Sequence, residues 1–131
     1  MNIGGASDAT GLPAKTIRYY EDIGLIKPER AANGYRDYAS PDIHRLAFVQ
    51  RSRSLGFTIE ECRSLLSLYE DKDRASSDVK AMAQEKILEI DRKLKELKSL
   101  RNTLKTLADH CHGDDRPECP IIDEIAKGGL V

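Results

Sequence analysis

Cys111 and Cys119 are the two thiols of the segment Cys111-His112-Gly113-Asp114-Asp115-Arg116-Pro117-Glu118-Cys119-Pro120. A short polar loop containing glycine and proline can fold back and aim both sulfurs at one centre. Thiolates are soft ligands that select soft metals, Cu(I) above all and Zn(II) next. Cu(I) accepts two thiolates in line and needs only Cys111 and Cys119. Zn(II) prefers four ligands, so a zinc centre would have to recruit from His110, His112, Asp114, Asp115 or Glu118. The third cysteine, Cys62, lies among Ile59, Leu65 and Leu66 and reads as a small buried hydrophobe.

A second chemistry lies near the start of the chain. Lys15, Thr16, Arg18, Tyr19 and Tyr20 are crowded into six positions. On a helix Lys15, Arg18 and Tyr19 share a face, at i, i+3 and i+4. Arg and Lys reach guanine edges or phosphates, and tyrosine offers its hydroxyl to phosphate. Tyr35 and Arg36 would flank the same duplex. The formal net charge of −1 excludes a uniformly basic nucleic-acid binder, but only local positive charge has to meet phosphate. Lys15, Arg18, Lys27, Arg30, Arg36, Arg45, Arg51 and Arg53 precede a mostly acidic stretch after Ala108, so charge is segregated along the chain.

The elements that must position these groups are mainly helical. Short helices are expected over Gly4 to Thr10, ending at Gly11, and over Ala14 to Ile23, closed by Gly24, with Pro13 suited to a first turn. Two short helices about a glycine turn have helix-turn-helix spacing. Asn33-Gly34 between extended segments predicts a two-stranded wing. A third helix is expected from Ser40 as N-cap and Pro41 at the first position to about Leu55. Thr58-Ile59-Glu60-Glu61 has capping-box form and opens a fourth, to about Tyr69.

After a charged linker, Ser77 to about Leu107 contains neither Gly nor Pro. Its apolar residues recur at Ile87, Ile90, Leu94, Leu97, Leu100, Leu104 and Leu107, the seam of a coiled coil. About 30 helical residues span about 45 Å, too long for so small a domain to cover, so the seam predicts antiparallel pairing with a second copy. After Pro120, Ile121, Ile122 and Ile125 predict a short helix whose N-terminal amides stabilise negative charge on the loop. The fold class is therefore mainly α. A winged helix-turn-helix domain (1–70) is followed by a linker and long coiled-coil dimerisation helix (71–108), then a metal-binding loop with a short C-terminal helix (109–131).

Thr16-Ile17-Arg18-Tyr19-Tyr20-Glu21-Asp22-Ile23-Gly24-Leu25-Ile26, Asn33-Gly34-Tyr35-Arg36-Asp37-Tyr38 and Leu55-Gly56-Phe57-Thr58-Ile59-Glu60-Glu61 together resemble the signature of the MerR family of winged-helix transcription regulators. The segment Cys111–Cys119 with Pro120-Ile121-Ile122 is similar to the copper-responsive branch of that family. The resemblance implies a homodimer on a pseudo-palindromic promoter site whose −35 and −10 elements are too far apart. Metal binding then makes the dimer distort and untwist the DNA for RNA polymerase. It also implies that Arg53, after the third helix, touches phosphate. In the family's divalent sensors the partner subunit supplies a further Cys at the start of the dimer helix. Ser76 stands there in this chain and resembles the monovalent sensors, though a serine also serves as an ordinary N-cap. Gly4-Gly5 departs from the family pattern, which has an acidic and a bulkier aliphatic residue there.

These features predict a Cu(I)-sensing activator of copper-resistance or efflux genes, with Ag(I) and Au(I) sharing the linear thiolate chemistry. A sensor of Zn(II) or another divalent ion is the alternative within the family, and a cytosolic copper carrier the alternative from another class. A carrier has no use for a winged helix-turn-helix. No GxSxG, Walker-A or HExxH pattern supports an enzyme. Met1-Asn2-Ile3-Gly4 lacks the basic start and apolar stretch of a leader, and no run is long enough to span a bilayer. A cytoplasmic address is expected, where thiols stay reduced.

Overall fold

The computed structural model describes residues 1–128; the end of the segment expected over 109–131 lies outside them. Among the described residues the order is α1 (Ile3–Thr10), α2 (Ala14–Asp22), β1 (Glu29–Arg30), β2 (Arg36–Asp37), α3 (Ser40–Ser54), α4 (Ile59–Glu70), α5 (Ser76–Asp109) and α6 (Pro120–Lys127). They form two compact units, Met1–Ala83 and Gln84 onward. No described helix is long and apolar enough to cross a membrane.

In the first unit a single core gathers Ala6 of α1, Ile17 and Tyr20 of α2, Leu46 and Val49 of α3, and Cys62 of α4, with further residues of the wing and loops. Cys62 is fully buried, as a small hydrophobe should be. Met82 of α5 packs against the same core, which is why this unit reaches past residue 70. Gly11 and Gly24 take left-handed φ values of 75° and 73°, where α1 and α2 stop.

Paired glycines do not abolish α1. Asn2 caps it, its side chain accepting the Gly5 amide at 2.8 Å. A Cβ on Gly5 would stand 2.5 Å from Met1 Cγ, so a side chain there would displace Met1, whose carbonyl accepts the Tyr38 amide at 2.6 Å. The helix gives up propensity at Gly5 in exchange for close contact between the chain start and the end of the wing.

The wing is smaller than its signal suggests: two residues per strand, paired antiparallel as Glu29 with Asp37 and Arg30 with Arg36. The Ala31 amide donates to Tyr35 O and the Gly34 amide to Ala31 O. With Gly34 at φ 83°, this is a type I turn closed by a left-handed glycine rather than a two-residue turn on Asn33-Gly34. Helix α3 begins one residue earlier than expected. Ala39, not Ser40, is the N-cap, because Asp42 Oδ2 accepts the Ala39 amide at 2.9 Å. The expected box at α4 is present: Thr58 N donates to Glu61 Oε1 at 2.8 Å and Glu61 N to Thr58 Oγ1 at 3.2 Å.

Charged groups lock these pieces in place. Arg45 pairs with Asp42 on its own helix and with Glu70 of α4, and those partners raise its pKa, the Glu70 hydrogen bond most. Arg63 of α4 donates to Ile23 O at 2.8 Å, satisfying a carbonyl at the end of α2. Glu21 of α2 binds the wing: Oε2 pairs with Arg36 Nε and accepts from the Tyr38 hydroxyl at 3.4 Å, and Oε1 lies 3.6 Å from Arg30 Nη2.

The second unit holds the rest of α5, the cysteine loop and α6. At 34 residues, α5 is about 51 Å long. Its seam is open to solvent, with Ile87, Leu94, Leu97, Leu100 and Leu104 each more than half exposed.

Glu21 carries the attachment of the wing to α2. Glu21→Ala should destabilise the folded protein by about 1–3 kcal/mol, the scale of a lost charged hydrogen bond with its partners left behind. Urea denaturation measures the loss, and faster proteolysis within residues 29–37 should accompany it.

Candidate metal centre and nucleic-acid interface

Helix α5 ends at Asp109, and the Cys111 amide donates to Ala108 O at 3.1 Å, so Cys111 is fixed to the last turn. Cys119 is the N-cap of α6, with the Asp123 amide donating to its carbonyl at 3.1 Å. Each thiol is thus tied to a helix end, and the intervening loop brings the sulfurs to 3.7 Å, Cys111 Sγ donating to Cys119 Sγ. Both residues are partly exposed.

The start of α6 tunes one thiol. Pro120 occupies the first turn, where its missing N–H is not needed. The backbone amide of Ile122, in the first turn of α6, holds the Cys119 pKa below the ordinary thiol value, and Cys111 and the Ile121 amide act in the same direction. Partial desolvation and Asp123 oppose the shift without reversing it.

Two soft donors in contact fit a soft metal ion. Cys111 and Cys119 would hold such an ion between the end of α5 and the start of α6. The zinc recruits are not assembled: among the described residues no three His, Cys, Asp or Glu side chains converge as a metal-binding group. His110 Nδ1 lies 2.6 Å from Thr106 O, back along α5, and Asp114 is occupied by Arg116. His112, Asp115 and Glu118 are exposed. Ser76 is the first residue of α5 and is exposed.

On the first unit, Lys15, Arg18 and Tyr19 are exposed on α2 and Thr16 is half-buried. Tyr20 is a correction. It is 5 % exposed, packed in the core, and burial raises its pKa, so it supports the helix from behind instead of presenting a contact. Tyr35 is 74 % exposed on the wing. Arg18, Tyr35 and Arg36 line one groove of about 520 Å³ together with Asn2, Ile3, Gly4 and Asn33. Arg36 is partly committed to Glu21, and Arg53 is exposed while its Nη1 holds Phe57 O at 3.0 Å. Asn2, Asn33 and Glu21 were not expected at this surface. A lone cap, a turn amide and a single acid carry no periodic signal.

Residues 1–68 match the model of the MerR HTH family regulatory protein and residues 43–107 that described as MerR, DNA binding. The chain is 66 % identical over 128 residues to the HTH-type transcriptional regulator HmrR of Rhizobium leguminosarum bv. viciae, covering 98 % of this chain and 99 % of that one. It is 44 % identical over 127 residues to the HTH-type transcriptional regulator CueR of Salmonella typhimurium, covering 96 % and 92 %. Among solved structures it resembles the transcription regulator PbrR691 of Ralstonia metallidurans CH34 in complex with lead(II). The TM-score is 0.82 and the identity 30 %, over 95 % of this chain and 98 % of that one.

The amide environment of Cys119 sets a pH dependence. Its folded pKa is lowered, so its thiolate contributes stability that is complete above the unfolded value of about 8.5 and is lost as pH falls through the folded value. In metal-free protein, the midpoint for alkylation of Cys119, followed by peptide mapping, should lie below that of the same thiol in the urea-unfolded chain. An equal or higher midpoint in the folded chain would mean the α6 amides do not act on the sulfur.

Proposed function

The chain belongs to the MerR family of helix-turn-helix regulatory proteins, a regulator of transcription rather than an enzyme, and from that premise we propose that it senses Cu(I) through Cys111 and Cys119. The observation that carries this reading is the pair of thiols at 3.7 Å with no third His, Cys, Asp or Glu ligand assembled beside them among the described residues. Such a donor set suits an ion content with two soft ligands. Ser76 in place of a third thiol favours the same choice, as does the likeness of the Cys111–Ile122 segment to the copper-responsive branch. Silver(I) and gold(I) are natural surrogates. The cytoplasm, where thiols are kept reduced, is the matching location.

The dimer follows from α5. Each Leu or Ile of the exposed seam would gain about 1.5–3 kcal/mol on burial, and a second antiparallel copy offers the matching stripe. The partner's Ser76 then completes the selectivity environment. Two copies of the α2 face would sit on a promoter, with Lys15, Thr16, Arg18 and Tyr19 reading or clamping the duplex and Tyr35, Arg36 and Arg53 on its backbone. Cys111 and Cys119 would hold the ion at the start of α6, and the exposed Ile122 and Ile125 would give that helix an apolar face with which to dock. The two DNA-binding units would then reorient, and the promoter DNA would be untwisted into register for RNA polymerase. Such deformation costs about 1–6 kcal/mol, and protein–phosphate contacts would offset it.

A second reading is favoured by one finding: the structural relative at 30 % identity is a lead(II) complex. A soft divalent ion would use the same two thiolates plus recruited ligands. An anaerobic, reduced competition titration of Cu(I) against Zn(II) and Pb(II) separates the readings. Cu(I) should bind tightest, and both Cys111→Ser and Cys119→Ser should abolish that binding while leaving operator DNA binding intact. Tighter binding of a divalent ion would move the protein to the second reading.

A further inference from the structure

Seven residues separate Cys111 from Cys119, and an extended chain of that length would hold their Cα atoms well over 20 Å apart. With the sulfurs at 3.7 Å the loop must reverse sharply. Gly113 provides one element of the reversal, at φ 67°. The other is a single carboxylate. Asp114 Oδ1 accepts the Arg116 amide at 2.9 Å, and Oδ2 accepts from Arg116 Nε and Nη2, each at 2.8 Å. Among the described residues no other loop side chain between the two cysteines makes a hydrogen bond or ion pair. Asp115, with the same charge one position on, has no such contact.

An isolated exposed ion pair contributes little. Here three bonds from one residue converge on one carboxylate, two of them charge-assisted and one to the backbone, so the same contact that neutralises charge also fixes the turn. We propose that Asp114 and Arg116 are positioning residues for the metal centre: their clamp closes the loop and presents Cys111 and Cys119 to a common ion. The role rests on reading the two cysteines as metal ligands. Loop closure itself, however, can be measured with no metal present. The clamp acts before the metal arrives by removing conformations in which the thiols are apart, so its contribution is preorganisation of the site.

The closing experiment equilibrates the metal-free full chain with reduced and oxidised glutathione. Two electrons pass from the Cys111 and Cys119 thiols to glutathione disulfide, giving the Cys111–Cys119 disulfide and two glutathione thiols, and the equilibrium constant is the effective concentration of one thiol at the other. Asp114→Ala should lower it about fivefold. Asp114→Asn, which keeps an acceptor for the amide, and Arg116→Ala, which keeps the amide, should fall in between. Asp115→Ala should match the natural sequence, and the thermal unfolding midpoint of every variant should be unchanged. Metal affinity should fall by the same factors. An Asp114→Ala constant within about twofold of the unaltered protein, or an equal loss in Asp115→Ala, would overturn the clamp. So would a loss of closure that leaves affinity for the bound metal untouched. If closure falls as expected but the unaltered protein prefers a divalent ion, the clamp stands and the Cu(I) assignment fails.

Discussion

The contact between the Cys111 and Cys119 sulfurs depends on two helix ends being brought together, and the proposed sensing follows from that constraint. Cys111 is fastened to the last turn of α5 and Cys119 is the N-cap of α6. In the proposed mechanism the loop therefore cannot change its grip on an ion without moving a helix terminus. The same arrangement supplies the electrostatics, because the amides that begin α6 favour the thiolate of the N-cap residue Cys119. In the proposed mechanism a two-thiolate site on Cu(I) carries net negative charge, and the helix end is where that charge is best placed.

The first unit solves a different problem: how a small domain keeps the exposed face of α2, the proposed DNA-reading face, rigid. The core beneath α2 is built from Ile17 and Tyr20, while Glu21 holds the wing and Arg63 holds the helix end. Polar contacts carry much of this positioning because so short a chain buries limited apolar area. The long α5 shows the complementary deficit, an apolar stripe that its own chain leaves exposed. In the proposed dimer that deficit supplies the association, so a small folded unit and an uncovered helix are two sides of one design.

Much of the fold was legible in the sequence. The Thr58/Glu61 box, the glycine stops at Gly11 and Gly24, and the uninterrupted α5 all follow from local rules that tertiary structure did not override. Where the structure departs from these local rules, a competing local interaction explains the difference. Asp42 captures the Ala39 amide and shifts the start of α3 by one residue. Tyr19 and Tyr20 look alike in sequence, but adjacent helical positions are about 100° apart, which places one outside and one in the core. The wing signal was right, while its strand length and turn type depended on Gly34 and Tyr35. For the candidate site, the sequence singles out the two thiols that the structure brings into contact, but not their separation or the Asp114–Arg116 closure. Spacing along a loop fixes only an upper limit on distance, and a carboxylate two residues before an arginine is too common to stand out.

The central claim is that one ion is held by two thiolates and nothing else. X-ray absorption at the copper edge of the anaerobic Cu(I)-loaded protein tests it most directly. Two sulfur neighbours per copper, with no nitrogen from His110 or His112 and no third sulfur, is the result this account predicts. A third sulfur or a histidine nitrogen in the coordination shell would contradict it.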